Sequence, residues 1–215
     1  MRSSRIASTF AVIASVGVLI AAARPLASRV PPPASRVVKR KTWPAPNAVL
    51  QSGTLSFTGH STLGDFVGTT TAMSGGVTGN AELASARGWV EAPVTTLFTG
   101  NGLRDHDLRA TMGVEKYPTM RFELAGVTVG SPAQSDTVIG ALRGALTIHG
   151  VTRDVSILST LIAEGDTIDV SGAFPVDLTD YKVDGLTRLF GTLRVQRKID
   201  VRFRVRFQAM PHSPA

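Results

Sequence analysis

The sequence predicts an all-β chain, an antiparallel barrel of about eight strands with at most one short helix. Three observations carry this expectation. From Val49 onward apolar residues recur with period two rather than 3.6. Turn-forming pairs separate the apolar runs at short intervals. The stretch 49–208 spans about 160 residues, enough for roughly eight strands that close on themselves and hide their edges.

The strands follow in order. Leu55 and Phe57 alternate with Ser56 and Thr58, and Met120, Phe122 and Leu124 alternate with Arg121 and Glu123. Val138, Leu142, Leu146 and Ile148 share one parity with Gly140 and Gly144. Val155, Ile157, Ser159 and Leu161 come next, then Ile168, Val170, Gly172, Phe174, Val176 and Leu178. The last run is the clearest. Ile199, Val201, Phe203, Val205 and Phe207 lie on one face, and Asp200, Arg202, Arg204 and Arg206 on the other. Turns are expected at Gly59–His60, Gly75–Gly76, Asn101–Gly102, Gly130–Ser131–Pro132, Gly165–Asp166 and Asp184–Gly185. Leu103, Leu108 and Met112 are spaced for a short helix over 103–113. Glycines inside strands, such as Gly140, Gly144 and Gly172, suggest barrel corners or room for a ligand.

The N-terminus has a different character. Arg2 and Arg5 precede an apolar run from Phe10 to Ala23 that is interrupted by Ser15, and Ala21 and Ala23 supply small residues for cleavage. This order describes a secretory signal peptide over 1–23, and the run is shorter than the roughly 20 residues of a spanning helix. Residues 24–48 carry Pro25, Pro31, Pro32, Pro33, Pro44 and Pro46 among six basic residues, and read as an extended linker able to contact an anionic membrane surface. A disordered tail is expected over 209–215. The expected destination is the periplasm or the cell exterior.

Charge follows the same division. The net charge is +7, but residues 1–48 hold eight basic residues and no acid, while 49–215 hold 15 basic and 16 acidic residues. The basicity belongs to the leader and linker, so the body does not read as a nucleic-acid-binding domain. Residues 188–206 form a local basic segment with Arg188, Arg194, Arg197, Lys198, Arg202, Arg204 and Arg206. Phe203 and Phe207 face away from these arginines, so no stacking platform for single strands is formed. The segment reads as a solvated outer face.

The sequence offers little chemistry. It has no cysteine, which removes disulfides, thiolate metal sites and a cysteine nucleophile. Gly59-His60-Ser61-Thr62-Leu63-Gly64 lacks the Gly-x-Ser-x-Gly spacing of a nucleophile elbow. Asp105-His106-Asp107 reads as polar surface, because three adjacent side chains rarely converge on one ion. His60, His149 and His212 stand apart from one another. Asp166/Asp169 and Asp177/Asp180 sit beside turns, where aspartate bonds locally. No catalytic residue, metal site or cofactor is expected.

What remains is the apolar interior. By pattern alone a core filled by side chains is the expected outcome. Phe57, Phe66, Phe98, Phe122, Phe174, Phe190, Phe203 and Phe207, with Met73, Met112 and Met120, would otherwise line a cavity of adaptable shape.

Two blocks add a resemblance. Arg104-Asp105-His106-Asp107-Leu108 with Lys116-Tyr117-Pro118-Thr119-Met120-Arg121-Phe122, and Gly140 through Val155 with its Leu146-Thr147-Ile148-His149-Gly150-Val151-Thr152 core, resemble the YceI family of exported lipocalin-like proteins. The stretch from Phe174 through Asp180-Tyr181-Lys182 to Phe207 is similar as well. The resemblance spans about 50–208. The family's opening Asp with a His-Ser pair is not visible near Leu50-Gln51-Ser52-Gly53. The resemblance implies a lipocalin-like barrel around an apolar tunnel that binds a long isoprenoid chain of the polyprenyl or quinone-tail kind, without catalysis. The candidate ligand-binding residues are then Phe57, Phe66, Phe98, Met112, Phe122, Leu142, Leu146, Phe174 and Phe203.

Overall fold

A computed structural model describes residues 47–79, 83–130, 136–183 and 195–210. The signal peptide, the linker up to Pro46, Phe190, the turns at Ser131–Pro132 and Asp184–Gly185, and the tail from 211 lie outside the described residues.

Among the described residues nine strands and one α-helix follow one another: β1 (Asn47–Ser61), β2 (Phe66–Thr70), β3 (Ser74–Thr78), β4 (Arg87–Pro93), α1 (Gly102–Thr111), β5 (Thr119–Val129), β6 (Thr137–Ile148), β7 (Val151–Glu164), β8 (Thr167–Asp177) and β9 (Val195–Ala209). Every pairing among these strands is antiparallel. The order β3-β4-β5-β6-β7-β8-β9 returns to β1, and the β1–β9 ladder closes an eight-stranded barrel. β2 is the extra strand. β1 is long enough to pair with β3 through Asn47–Val49 and with β2 through Leu55–Gly59 on the same edge. No helix among the described residues is long and apolar enough to cross a membrane.

Alternation decides what faces inward. On β6, Val138, Gly140, Leu142, Gly144, Leu146 and Ile148 are all buried, while Ile139 and Arg143 are exposed. β9 buries Val205 and Phe207 and exposes Arg202, Arg204 and Arg206. Two apolar clusters result. One holds Val127, Val138, Leu142, Ile157, Leu161, Val170, Val205 and Phe207. The other holds Val94, Leu97, Met112, Leu146, Ile148, Val176, Leu178 and Val183. Burying such faces stabilises the barrel by roughly 25 cal/mol per Å² of apolar surface.

Two expected turns are strand interior instead. Gly59–His60 lies within β1 and Gly75–Gly76 within β3. Their glycines serve close approach rather than chain reversal. Gly59 lies under the Phe66 ring of the facing strand, and a Cβ on Gly75 would stand 2.6 Å from the Trp89 carbonyl oxygen. The same device recurs where barrel-corner glycines are expected: a Cβ on Gly172 would stand 2.8 Å from the Phe203 ring, its cross-strand partner. Gly59 and Gly172 therefore make floors for aromatic rings, and Gly75 admits the backbone of β4.

The expected helix is present. Asn101 caps α1, its side-chain oxygen accepting from the Leu103 and Arg104 amides at 3.1 Å each. Asp105, read as polar surface in the sequence, is 3% exposed. It accepts from the Thr99 amide (2.9 Å) and the Thr99 hydroxyl (2.6 Å), which ties the approach loop to the helix.

Candidate functional site

The barrel interior is not filled. It holds a smaller chamber of about 170 Å³ and a larger one of about 760 Å³. Leu55, Met120, Leu146 and Phe174 line both, so these four side chains form the boundary between the two, a waist made by β1, β5, β6 and β8. The larger chamber alone falls within the roughly 300–1,000 Å³ of small-molecule sites. The expectation of a filled core fails for a physical reason. Alternation reports which side chains point inward, not whether they meet across the barrel. Phe122 and Phe203 pack their rings over Gly144 and Gly172 on the barrel wall, within 2.9 and 2.8 Å of where a Cβ would stand.

The chambers differ in chemistry. The smaller is walled by Met73, Val77, Val90, Phe122, Leu142, Leu161, Phe203 and Phe207 among other apolar residues; Glu91 and Arg121 touch its edge and pair at 3.1 Å. The larger has Phe57, Phe66, Met112, Ile148, Val176 and Ile199 on its walls. It also has Arg104, Asp107, Thr111, His149 and Lys182. α1 supplies three of these, because positions 104, 107 and 111 fall on one helix face.

Arg104 and His149 are held by side-chain contacts. The Arg104 guanidinium lies 4.5 Å over the Phe66 ring, and Phe66 meets Phe57 edge-to-face at 6.1 Å. His149 and Gly150 form the two-residue turn between β6 and β7, with φ of 50° and 70°. This double positive φ is the hairpin geometry that usually selects Asn–Gly. The His149 ring packs on Tyr117 at 4.6 Å, and its Nδ1 donates to the Tyr181 carbonyl at 3.3 Å. Lys182 also sits in the left-handed region, with φ of 55°, where it ends the 3₁₀ turn Leu178–Tyr181. His149 and Lys182 are the only two non-glycine residues with positive φ among the described residues. That conformation costs an L-residue roughly 1–2 kcal/mol. Burial, with the neighbouring Asp180 charge, raises the Tyr181 phenol above its ordinary pKa, so it stays neutral.

Most of the sequence-predicted residues come together. Phe122, Leu142 and Phe203 line the smaller chamber, Phe57, Phe66 and Met112 the larger, and Leu146 and Phe174 the waist. Phe98 does not join them. It is 64% exposed and lines neither chamber. Thr69 and Phe98 exchange backbone hydrogen bonds of 2.9 and 3.0 Å in a short bridge, and alternation then sends Leu97 inward and Phe98 outward. Residue spacing did not reveal Arg104, Asp107, His149 or Lys182 as lining. The one available signal was His–Gly at a hairpin position that favours Asn–Gly.

Ser61 and His60, in the segment that lacks the elbow spacing, are occupied structurally. The Ser61 hydroxyl donates to the Gly64 carbonyl at 2.6 Å. His60 stands between Asp65 (2.9 Å) and Asp200 (3.3 Å), linking the β1–β2 hairpin to β9. The Asp65 hydrogen bond, with a smaller one from Asp200, raises its pKa. Among the described residues no three His, Asp or Glu side chains are grouped to hold a metal ion.

Solved structures share this architecture. A polyisoprenoid binding domain from Saccharophagus degradans, implicated in plant cell wall breakdown, aligns with TM-score 0.63 at 16% identity over 76% of this chain and 98% of its own. BcnA from Burkholderia cenocepacia aligns with TM-score 0.60 at 17% identity over 72% of this chain and 95% of its own. The YCEI protein of Campylobacter jejuni gives 0.51 at 20% identity over 65% and 82%. No curated protein sequence matches. The profile of the YceI-like domain matches residues 48–207, from the first buried residue of β1 almost to the end of β9. The barrel, its closing ladder and that match agree: the chain belongs to the YceI-like domain family.

Proposed function

We propose that this chain binds, and carries or stores, a long apolar lipid of the isoprenoid type inside its barrel, without catalysing a reaction. The observation that carries the reading is the pair of adjacent chambers, one of them almost wholly apolar. Each methylene-sized group that moves from water into such a space gains roughly 0.8 kcal/mol. A branched, flexible tail of polyprenyl or quinone-tail kind matches a long space lined by phenylalanine, leucine and methionine. The fold shared with a polyisoprenoid binding domain supports the same class of ligand. The expected leader would deliver the protein to the periplasm or the exterior, where such a lipid needs cover from water. Phe57, Phe66, Met112, Phe122, Leu142, Leu146, Phe174 and Phe203 form the lining we assign to the tail; Phe98 is left out.

The test is uptake of a fluorescent prenyl probe by the full chain and by Phe174→Glu. A carboxylate at the waist cannot be desolvated cheaply, so loading should fall below detection while circular dichroism still reports strands. Equal loading by both proteins overturns the assigned lining.

A further inference from the structure

The outer wall of the barrel carries a face that the chambers do not account for. Ile139 on β6 and Leu158 and Ile162 on β7 are 64%, 68% and 40% exposed. The register sets them side by side, because Ile139 pairs with Thr160, which stands between Leu158 and Ile162 on the outward side of β7. Exposed aliphatic residues grouped in this way mark interaction surfaces.

The same cross-strand rows run on to β9. Thr160 pairs with Ser171 and Ser171 with Arg204, while Ile162 pairs with Asp169 and Asp169 with Arg206. Arg202, the next outward residue of β9, pairs with Ala173. The β9 backbone therefore lies two strands from Ile162, about 10 Å away. Ser171 and Ala173 are small, and long side chains from β9 can reach over β8. Arg206 does so, donating to the Asp169 carboxylate at 2.8 and 2.7 Å. Asp169 is the one acidic residue in these rows, and Arg206 occupies it. Arg202 and Arg204 are exposed and, among the described residues, join no ion pair. Arg143 follows Ile139 and Ala141 on the outward side of β6 and is exposed too.

Basic residues often guard a free sheet edge, but β9 has none, since it pairs with both β1 and β8. Exposed aliphatic residues beside unpaired guanidinium groups suit an anionic lipid interface: the aliphatic side chains enter the headgroup boundary and the arginines meet the phosphates. A second copy complements this face less well, because it would bring the same arginines and one carboxylate that is already paired.

We propose that the outer face of β6–β9, built on Ile139, Leu158, Ile162, Arg202 and Arg204, docks the barrel on the surface of an anionic bilayer.

The experiment sediments the full chain with vesicles of phosphatidylglycerol and phosphatidylcholine in equal parts, and with vesicles of phosphatidylcholine alone. Wild type should favour the anionic vesicles, and added salt should reduce that preference. Arg202→Gln/Arg204→Gln should lower partitioning to them about 30-fold, from the contribution of each cationic residue near such a surface. Arg202→Lys/Arg204→Lys, which keeps the charge, should stay close to wild type. Ile139→Thr/Leu158→Thr, which keeps β-branched residues in the strands, should lower partitioning at least about tenfold. All three variants should take up a fluorescent prenyl probe in solution as wild type does, which reports an intact barrel and separates this surface from the carrier reading. Equal wild-type partitioning to both vesicles, or wild-type partitioning by the glutamine or the threonine variant, overturns the docking face; in the second case the basic linker or the leader holds the chain on the vesicle. Loss of binding by the lysine variant overturns it as well. Capture of wild type by an acidic protein such as heparin-free casein, with no partitioning to anionic vesicles, would assign the face to a protein partner and overturn the bilayer.

Discussion

Leu146→Trp tests the waist. Leu146 is buried yet lines both chambers, so if one ligand spans them, as proposed, an indole there would block its way. Space of about 170 Å³ lies on one side and about 760 Å³ on the other, so the larger side chain has somewhere to go. Stability should fall by less than about 1 kcal/mol, whereas overpacking a filled core costs about 1–3 kcal/mol. Binding should change in a length-dependent way. A short prenol confined to the larger chamber should keep its affinity. One longer by two isoprene units has about ten more carbons, worth roughly 3 kcal/mol at ~0.3 kcal/mol per heavy atom. That corresponds to about 100-fold in Kd. Isothermal titration with the two prenols and urea unfolding of both proteins supply the numbers. A loss of 3 kcal/mol or more in stability would mean the waist is already packed. Equal loss of affinity for both lengths would mean that the chambers do not hold one ligand in series.

Further predictions concern the scaffold. Gly172→Ala places a methyl 2.7 Å from the Ser159 hydroxyl and 2.8 Å from the Phe203 ring; urea unfolding should show a loss of about 1–3 kcal/mol, and no loss would refute the role given to strand glycines. Asp105→Ala leaves the Thr99 amide and hydroxyl without their acceptor and should cost about 1–3 kcal/mol, read as a lower midpoint in the same assay. Phe98→Ser, on the outer surface, should leave probe loading at the wild-type level; lost loading would restore Phe98 to the lining. His60, its pKa raised first by the Asp65 and then by the Asp200 hydrogen bond, contributes stability that is full below its ordinary value of 6.5. That contribution fades as pH rises through the raised value. The melting temperature of wild type minus that of His60→Gln should therefore shrink from pH 5 toward pH 9, by these ordinary titration limits roughly, and a gap that grows would contradict the pairing.

The later strands were readable because their apolar frame never slips. From Val138 to Ile148, and again from Ile199 to Phe207, every second residue points inward. β1 and β5 were harder, because each carries a register shift. Between Leu50 and Ser52 the inward frame passes from even to odd positions, and between Leu124 and Gly126 it does so again, so Met120 and Phe122 share a face with Val127. A bulge adds one residue without changing composition, which hides it from period counting. The apolar residues that line the chambers were mostly legible, since facing inward and lining a chamber coincide wherever the interior is hollow. Phe98 was misplaced because a two-bond bridge sets its direction, not a strand. The polar groups at the wider chamber were invisible for another reason. Arg104, His149 and Lys182 are far apart in sequence, and only closure of the barrel brings their three elements to one cavity. The hollow itself was also beyond the pattern, which counts inward side chains without measuring the gap between them.

Native mass spectrometry of the full chain after expression with export to a bacterial periplasm, with organic extraction of the same sample, tests the central claim most directly. The account predicts a stoichiometric apolar adduct whose fragments carry the five-carbon spacing of an isoprenoid. A clean apo mass, together with no uptake of a fluorescent prenyl probe, would contradict it.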